Sequence, residues 1–276
     1  MSVKNILIHI VSKLPFGLRS KIKNIPILRQ VQSWLMKKWV NNESFTTTIT
    51  GGPANGLVFP VQMPQDKLMW VGTWELEFAE ALQQNVKAGW VCYDIGAYKG
   101  YYAGVMALKG ASNVYIFEPM PANAAIINEL ISLNKNLPLH LQQMAVSNTV
   151  GKVSFKLMSE ETMGKLNTSS FQEDEIEMQQ LIVECISLDE IIKNGMPEPD
   201  FIKIDVEGAE EFVLKGGKEM LKRKKPFLMI EIHSPEIGKR CVEILDSIYK
   251  NIKVLETGLH PSKGTPEICH YIVSNN

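Results

Sequence analysis

At 276 residues, 45% of them hydrophobic and 21% charged, the chain is long enough to bury a core without disulfide or metal staples. Its cysteines, Cys92, Cys185, Cys241 and Cys269, form no C-x-x-C pair and have no histidine at ligand spacing, which excludes a disulfide framework or zinc site and fits a reducing cytoplasm. The net charge of −1 hides an asymmetry: residues 1–42 hold eight Lys/Arg and no acid, leaving −9 on the remainder, a body that would repel nucleic acid.

No window reaches the roughly 18 uninterrupted apolar residues of a membrane span. The short apolar run over 6–11 has no small-residue cleavage site after it, so neither secretion nor integral insertion is expected. Residues 1–43 mix their basic charge with Ile6, Leu7, Ile10, Trp34, Leu35, Met36 and Trp39. Such a basic amphipathic helical segment suits peripheral attachment of residues 1–40 to the inner face of a membrane, contact with an enzyme of the same pathway, or a helical cap on the main domain.

Residues 44–89 read as a lead-in. Weak alternation over 44–50, the turn-rich GGPANG of 51–56 and an apolar run over 57–61 predict two strands about a turn. A helix follows from Glu75 to about Lys87, closing at Gly89.

From 90 to 276 apolar runs alternate with helical patterns. Strands are expected at 90–95, 112–117, 139–146, 200–205, 227–233, 252–256 and 268–273, and helices at 101–109, 121–134, 209–222 and 236–250. This alternation predicts an α/β, doubly wound, mostly parallel sheet of Rossmann-like type. Ligands would sit beyond the strands' carboxyl ends, where the strand order reverses. Between 147 and 199 the rhythm breaks: strands at 152–157 and 181–186 flank a polar loop, 158–180, that reads either as a lid or substrate-binding element or as disorder. Ser187 and Glu190 have the spacing of a capping box.

The chemistry begins at WVCYDIGAYKGYY, residues 90–102. Gly96 permits a sharp turn, Gly100 lets a helix start close to the sheet, and that helix's N-terminus offers free N–H groups; alone, the spacing also fits a purely structural turn. Glu118, 24 residues after Asp94 and just before Pro119, suits the two hydroxyls of a ribose, or is a solvated acid opening a turn. Asp94 separates two nucleoside cofactors: it is costly beside the pyrophosphate of NAD and suits the sulfonium and ammonium of S-adenosylmethionine. Charge favours the methyl donor over an NAD-dependent oxidoreductase. Two further tips, FIKIDVEGAE at 201–210 and EIH at 231–233, bring Asp205, Glu207, Glu231 and His233 toward the same crevice.

In this order and spacing, DIGAYKGYYA, FEPMPAN, AVSNTVGKVSF, SLDEI, IKIDVEGAE with the following VLKGG, and EIH resemble the FkbM-type methyltransferases, a class I S-adenosylmethionine-dependent family. The likeness is specific over 90–233 and looser over 45–273. It implies that Asp94, Gly96, Ala97, Tyr98 and Gly100 line the methionine end of the cofactor, and that Glu118 and Pro119 hold the ribose. Ala145, Val146 and Ser147 would border the adenine, and Glu75 would reach the amino-acid end. Tyr98 departs from the family's usual asparagine.

The resemblance further implies O-methylation of a hydroxyl on a sugar, glycan or related natural-product scaffold. His233 is the first choice of base, because an ordinary imidazole is largely neutral at pH 7; Asp205 is the second, with Glu207 and Glu231 completing the catalytic set. His233 also reads as a core histidine, and Glu207 as a helix-start acid. No metal is expected, although Asp205, Glu207 and Glu231 are the oxygen ligands an Mg²⁺ would take. A catalytically silent scaffold working through the basic segment is the remaining alternative.

Overall fold

The computed structural model describes residues 43–157, 164–166 and 180–275. The basic segment over 1–42 and most of the 158–180 loop, with the roles expected of them, lie outside the described residues. Among those residues, no helix is long and apolar enough to cross a membrane. The chain divides into two compact units, 43–85 with 129–137, and 86–128 with 138–275.

In the first unit the expected hairpin forms: β1 (Ser44–Thr48) runs antiparallel to β2 (Val58–Gln62), from Ser44 opposite Gln62 to Thr48 opposite Val58. The side chain of Asn134 completes the strand edge, accepting from the Val58 N–H at 3.1 Å and donating to the Val58 carbonyl at 2.7 Å. Helices α1 (Lys67–Trp70) and α2 (Leu76–Asn85) follow. Trp70 meets Phe45 edge to face at 5.2 Å, and α2 buries Phe78, Ala79, Ala81 and Leu82 as its apolar stripe.

The second unit is built on β3 (Val91–Ile95), α3 (Tyr101–Leu108), β4 (Asn113–Phe117), α4 (Pro121–Leu133) and β5 (Leu139–Gln142), α4 passing its last turn to the first unit. A side excursion, β6 (Ala145–Val146), β7 (Gly151–Leu157), β8 (Gly164–Leu166) and β9 (Gln180–Ile186), leads to α5 (Leu188–Lys193). The chain then returns through β10 (Phe201–Ile204), α6 (Glu210–Gly216), α7 (Lys218–Lys224), β11 (Phe227–Ile232), α8 (Pro235–Leu245), β12 (Asn251–Val254) and β13 (Cys269–Ser274).

Among the described residues, seven strands form the main sheet in the order β12-β13-β11-β10-β3-β4-β5. All neighbours from β11 to β5 are parallel, and β13 is antiparallel to both its partners. The doubly wound fold is therefore present, with its switch between β3 and β10, where the chain leaves in opposite directions. β10 is buried along its whole length, as expected of a central parallel strand covered on both faces. One apolar cluster runs from Tyr93, Ile202 and Ile230 on the strands to Val213, Leu214, Ile237 and Cys241 on the helices.

Three expectations change. The run 139–146 is two strands: the Met144 N–H turns back to the Gln142 carbonyl at 2.8 Å, and Ala145–Val146 pairs with β9 in a separate four-stranded sheet. The helix expected over 209–222 breaks at Gly217. A Cβ on Gly216 would lie 2.1 Å from the Ser147 carbonyl, and one on Gly217 would lie 2.7 Å from Leu188, so the glycine pair is what lets the helices seat against 147 and 188. The Ser187 hydroxyl caps α5 by accepting from the Glu190 N–H at 3.2 Å, but the Glu190 carboxylate pairs with Lys193 at 3.1 Å, so the box is closed from one side.

Candidate active site

Asp94 ends β3 fully buried, and the pairing register sets it directly opposite Lys203 of β10. Lys203 is 1% exposed. Its Nζ donates to the Gly96 carbonyl at 2.7 Å and lies 3.2 Å from Asp205 Oδ2 and 3.3 Å from Asp94 Oδ1. Burial lowers the Lys203 pKa, but Asp205 and Asp94 more than offset that and raise it. Burial pushes the Asp94 carboxyl up, and Lys203 and the Ala103 amide pull it back in part. Asp94 thus has a cation beside it inside the protein, a lysine that the sequence did not single out.

The glycine turn is closed against the neighbouring tip. Gly96 adopts φ 73, and a Cβ there would lie 1.8 Å from the Asp205 carbonyl. The backbone donors of the turn are largely spent: Gly96 and Ala97 donate to the Phe117 carbonyl, and Gly100 to Ala97, while Tyr98, itself at φ 53, donates to Glu118 Oε2 at 2.9 Å. None of these four N–H groups is therefore left for a ligand.

Glu118 projects from the tip of β4 and is 4% exposed. Its Oε1 accepts from the Met120 N–H at 2.9 Å and the Asn123 amide at 3.2 Å; Pro119 has no N–H, so the carboxylate reaches one residue further. Burial raises its pKa to about 7, against the pull of these donors and Lys203. Each carboxylate oxygen has two lone pairs, and Oε2 retains one beyond the Tyr98 bond, so a ribose hydroxyl can be accepted there.

Beyond β10 and β11 the four acid and base candidates come together on His233, which is 5% exposed. Its Nε2 lies 3.4 Å from Glu207, 3.7 Å from Asp205 and 3.8 Å from Glu231. Its Nδ1 bonds Glu210 Oε1 at 2.8 Å. Burial would lower the imidazole pKa, but the bond to Glu210 and the charges of Glu210, Asp205 and Glu207 raise it to about 9. A pKa so raised favours the imidazolium over the neutral imidazole on which the choice of His233 as base was argued.

Glu207 has a different character. It stands in the left-handed region at φ 50, a conformation non-glycine residues adopt chiefly where surrounding structure imposes it, and its side chain is 29% exposed. Burial, the largest cause, raises its pKa to about 7, His233 pulling it back and Asp205, Glu231 and Glu210 adding to it. Asp205 is pushed up by burial and drawn down by Lys203. Burial opposes ionisation of Glu231 too, yet His270 and His233 outweigh it and its pKa lies below the usual range. His270 faces Glu231 across the β11–β13 register, 3.6 Å from it through Nε2, with Glu256 at 2.6 Å from Nδ1.

Of the other expected residues, Ala145, Val146 and Ser147 are buried, with Ser147 against Gly216. Glu75 belongs to the first unit, exposed just ahead of α2. Lys203, Glu210, His270 and Glu256 were not singled out. A lone lysine inside the apolar FIKI strand was a readable signal, because buried lysines require partners. No metal was expected; of the alternative ligand set, Asp205 and Glu231, with His233 in place of Glu207, each bring one ligand atom within 4.8 Å of one another.

Comparison with known proteins adds a family. The model described as "Methyltransferase FkbM domain" matches residues 94–255. Hexuronic acid methyltransferase AglP of Haloferax volcanii is 28% identical over 174 residues, covering 62% of this chain and 67% of that protein. Among solved structures, methyltransferase FkbM from Methylobacillus flagellatus KT aligns with TM-score 0.44 and 18% identity, over 67% of this chain and 43% of that one. The putative methyltransferase yhhF from Escherichia coli aligns with TM-score 0.47 and 12% identity, over 84% and 99%.

Proposed function

Because the chain belongs to the FkbM methyltransferase-domain family, we propose that it is an S-adenosylmethionine-dependent O-methyltransferase acting on a hydroxyl of a sugar or glycan, with residues 90–276 as the catalytic domain. The observation that carries this reading is the convergence of Asp205, Glu207 and Glu231 on His233, beside the switch point where a ligand of such a sheet sits. The 28% identical relative that is named for a hexuronic acid supports the sugar.

Glu118 would hold the ribose, Pro119 shaping its reach, and Ala145, Val146 and Ser147 would border the adenine. The turn of Gly96, Ala97, Tyr98 and Gly100 would take the methionine end, braced through Lys203, with Asp94 acting behind it. The cofactor, when bound, supplies a methyl group on a sulfonium as the electrophile. The chain's own work is to hold the acceptor oxygen in line and remove its proton. Glu207 is the base we assign: it is partly open to solvent, with a pKa of about 7 that suits a proton acceptor at neutral pH. Its carboxylate would take the hydroxyl proton as the C–O bond forms and the methyl–sulfur bond breaks, the donor leaving as the neutral thioether, and would release the proton to water. The His233 imidazolium, fixed by Glu210, steadies Glu207, Asp205 and Glu231.

The test is incubation with deuteromethyl-labelled S-adenosylmethionine and a panel of hydroxylated sugars. The expected product is a deuteromethyl ether seen by mass spectrometry and lost in Glu207→Gln. Absence of label on every oxygen acceptor, with label appearing on a nitrogen or carbon acceptor, would overturn the assignment.

A further inference from the structure

We infer that the end of the main sheet opposite the candidate site is a docking surface for an anionic lipid bilayer. This goes beyond the methyl-transfer reading and does not depend on it.

Because β3, β4, β10 and β11 are parallel, the loops that enter them meet at one end of the sheet. β12 enters from that end too, since it and β11 are both antiparallel to β13. Hydrogen bonds join these loops into a continuous edge. The Tyr249 hydroxyl donates to the Pro226 carbonyl at 3.0 Å. Asp200 accepts from Lys224 Nζ at 2.7 Å and from the Val91 N–H at 3.0 Å, and the Gly89 N–H donates to the Gly110 carbonyl at 2.8 Å. From β12 to β4 that edge runs about 24 Å, at ~4.8 Å per strand.

Its charge is lopsided. Lys87, Lys109, Lys222, Lys225 and Lys250 are exposed there and make no ion pair among the described residues. Arg223 and Lys224 are also basic, paired with Glu198 and Asp200. The other acids are Asp246, beside His260 at 3.3 Å, and Glu243 in the last turn of α8. Helix C-termini favour cations and account for the lysines ending α3 and α7, but not for Lys250, which stands beyond α8 at the start of β12. Lys87 Nζ lies 5.1 Å from the half-buried Trp90 ring, and an indole beside an ammonium suits the boundary between headgroup and acyl chain.

A bilayer fits this edge better than nucleic acid does. Residues 43–276 carry −9, and a flexible polyanion that wraps the body meets that whole charge, whereas a flat surface meets only the face turned toward it. The carboxylates of the candidate site stand at the opposite ends of the strands, about 13–20 Å away for strands of this length. That exceeds the ~8 Å screening length at physiological salt, so the bilayer does not feel them whatever their protonation. Docked in this way, the strand tips point away from the lipid.

The test is co-sedimentation of the full chain with phosphatidylcholine vesicles, with and without phosphatidylserine, at about 0.1 M salt. Binding is expected only with phosphatidylserine, and should fall about thirtyfold in Lys225→Gln/Lys250→Gln and about thirtyfold in Lys87→Gln/Lys109→Gln. Lys218→Gln/Lys239→Gln, which alters exposed lysines of α7 and α8 away from the edge, should change it less than about threefold. Hydrogen exchange of the wild-type chain on the vesicles gives a readout that no variant's folding can disturb: the amides of 87–90, 109–112 and 222–226 should gain protection. Unchanged binding in both edge pairs, an equal loss in the control pair, binding to phosphatidylcholine alone, no vesicle binding, protection confined to the strand tips, or tighter binding to duplex DNA than to the vesicles would each overturn the inference.

Discussion

Lowering the pH from about 8 to about 5.5 should weaken S-adenosylhomocysteine binding about thirtyfold, ~2 kcal/mol, through Glu118. The magnitude follows from its surroundings: burial lifts its carboxyl from an ordinary 4.5 to about 7, so below pH 7 the unliganded protein carries it protonated. A hydroxyl donor on Oε2 favours the ionised form and would return the pKa toward its ordinary value. Binding at about pH 6 must then release nearly one proton. Calorimetry in two buffers of different ionisation enthalpy reads both the affinity and the proton count. Glu118→Gln should flatten the profile and abolish the release. Without ligand, a raised acid pKa means that the folded state binds more protons than the unfolded one between 4.5 and about 7. Glu118 thus adds stability at low pH that is lost as pH rises through about 7, up to about 3 kcal/mol. A flat affinity across this range, or proton release unchanged in Glu118→Gln, would refute the assignment of Glu118 to the ribose.

Lys203→Met should cost about 3–5 kcal/mol in urea-unfolding free energy, because it leaves Asp94 and Asp205 without their shared cation; a loss under about 1 kcal/mol would mean that the buried bridge is not holding the two tips. Gly96→Ala adds a Cβ 1.8 Å from the Asp205 carbonyl at a positive φ and should destabilise by about 3 kcal/mol or more, whereas Gly89→Ala, with nothing within 4 Å, should cost about 1–2 kcal/mol from backbone conformation alone. Thermal melts of the pair separate steric closure from φ strain, and equal losses would contradict the contact. Glu207→Gln should lower kcat about 10²–10⁴-fold with S-adenosylhomocysteine affinity unchanged; a fall in affinity with kcat intact would move Glu207 from the acceptor side to the cofactor.

The main sheet was legible because its strands are short apolar runs, such as VCYDI and FIKI, bounded by turn residues and spaced by helices. What escaped was decided by pairing between distant segments. Nothing local marks the point where 139–146 divides, since Ala145–Val146 leaves the run to pair with Cys185 and Ile186. Asp94 was identified as a polar group at a functional tip, but its partner depended on register with a strand 109 residues on. The same holds for His233: its ordinary pKa pointed to a neutral base, and only the fold reveals Glu210, 23 residues back, against Nδ1. His270 and Glu256 lie on the final antiparallel strands and the turn between them, where no motif announced them. Gly216-Gly217, by contrast, was readable as a helix break and was passed over as helix interior.

The central claim is that the tips of β3 and β4 hold a methyl donor. Its most direct test is calorimetric titration of the full chain with S-adenosylhomocysteine, with Glu118→Ala and NAD in parallel. Micromolar binding of S-adenosylhomocysteine, weakened in Glu118→Ala, with NAD failing to bind, is the predicted result. NAD binding without S-adenosylhomocysteine binding, or S-adenosylhomocysteine binding that ignores Glu118→Ala, would contradict it.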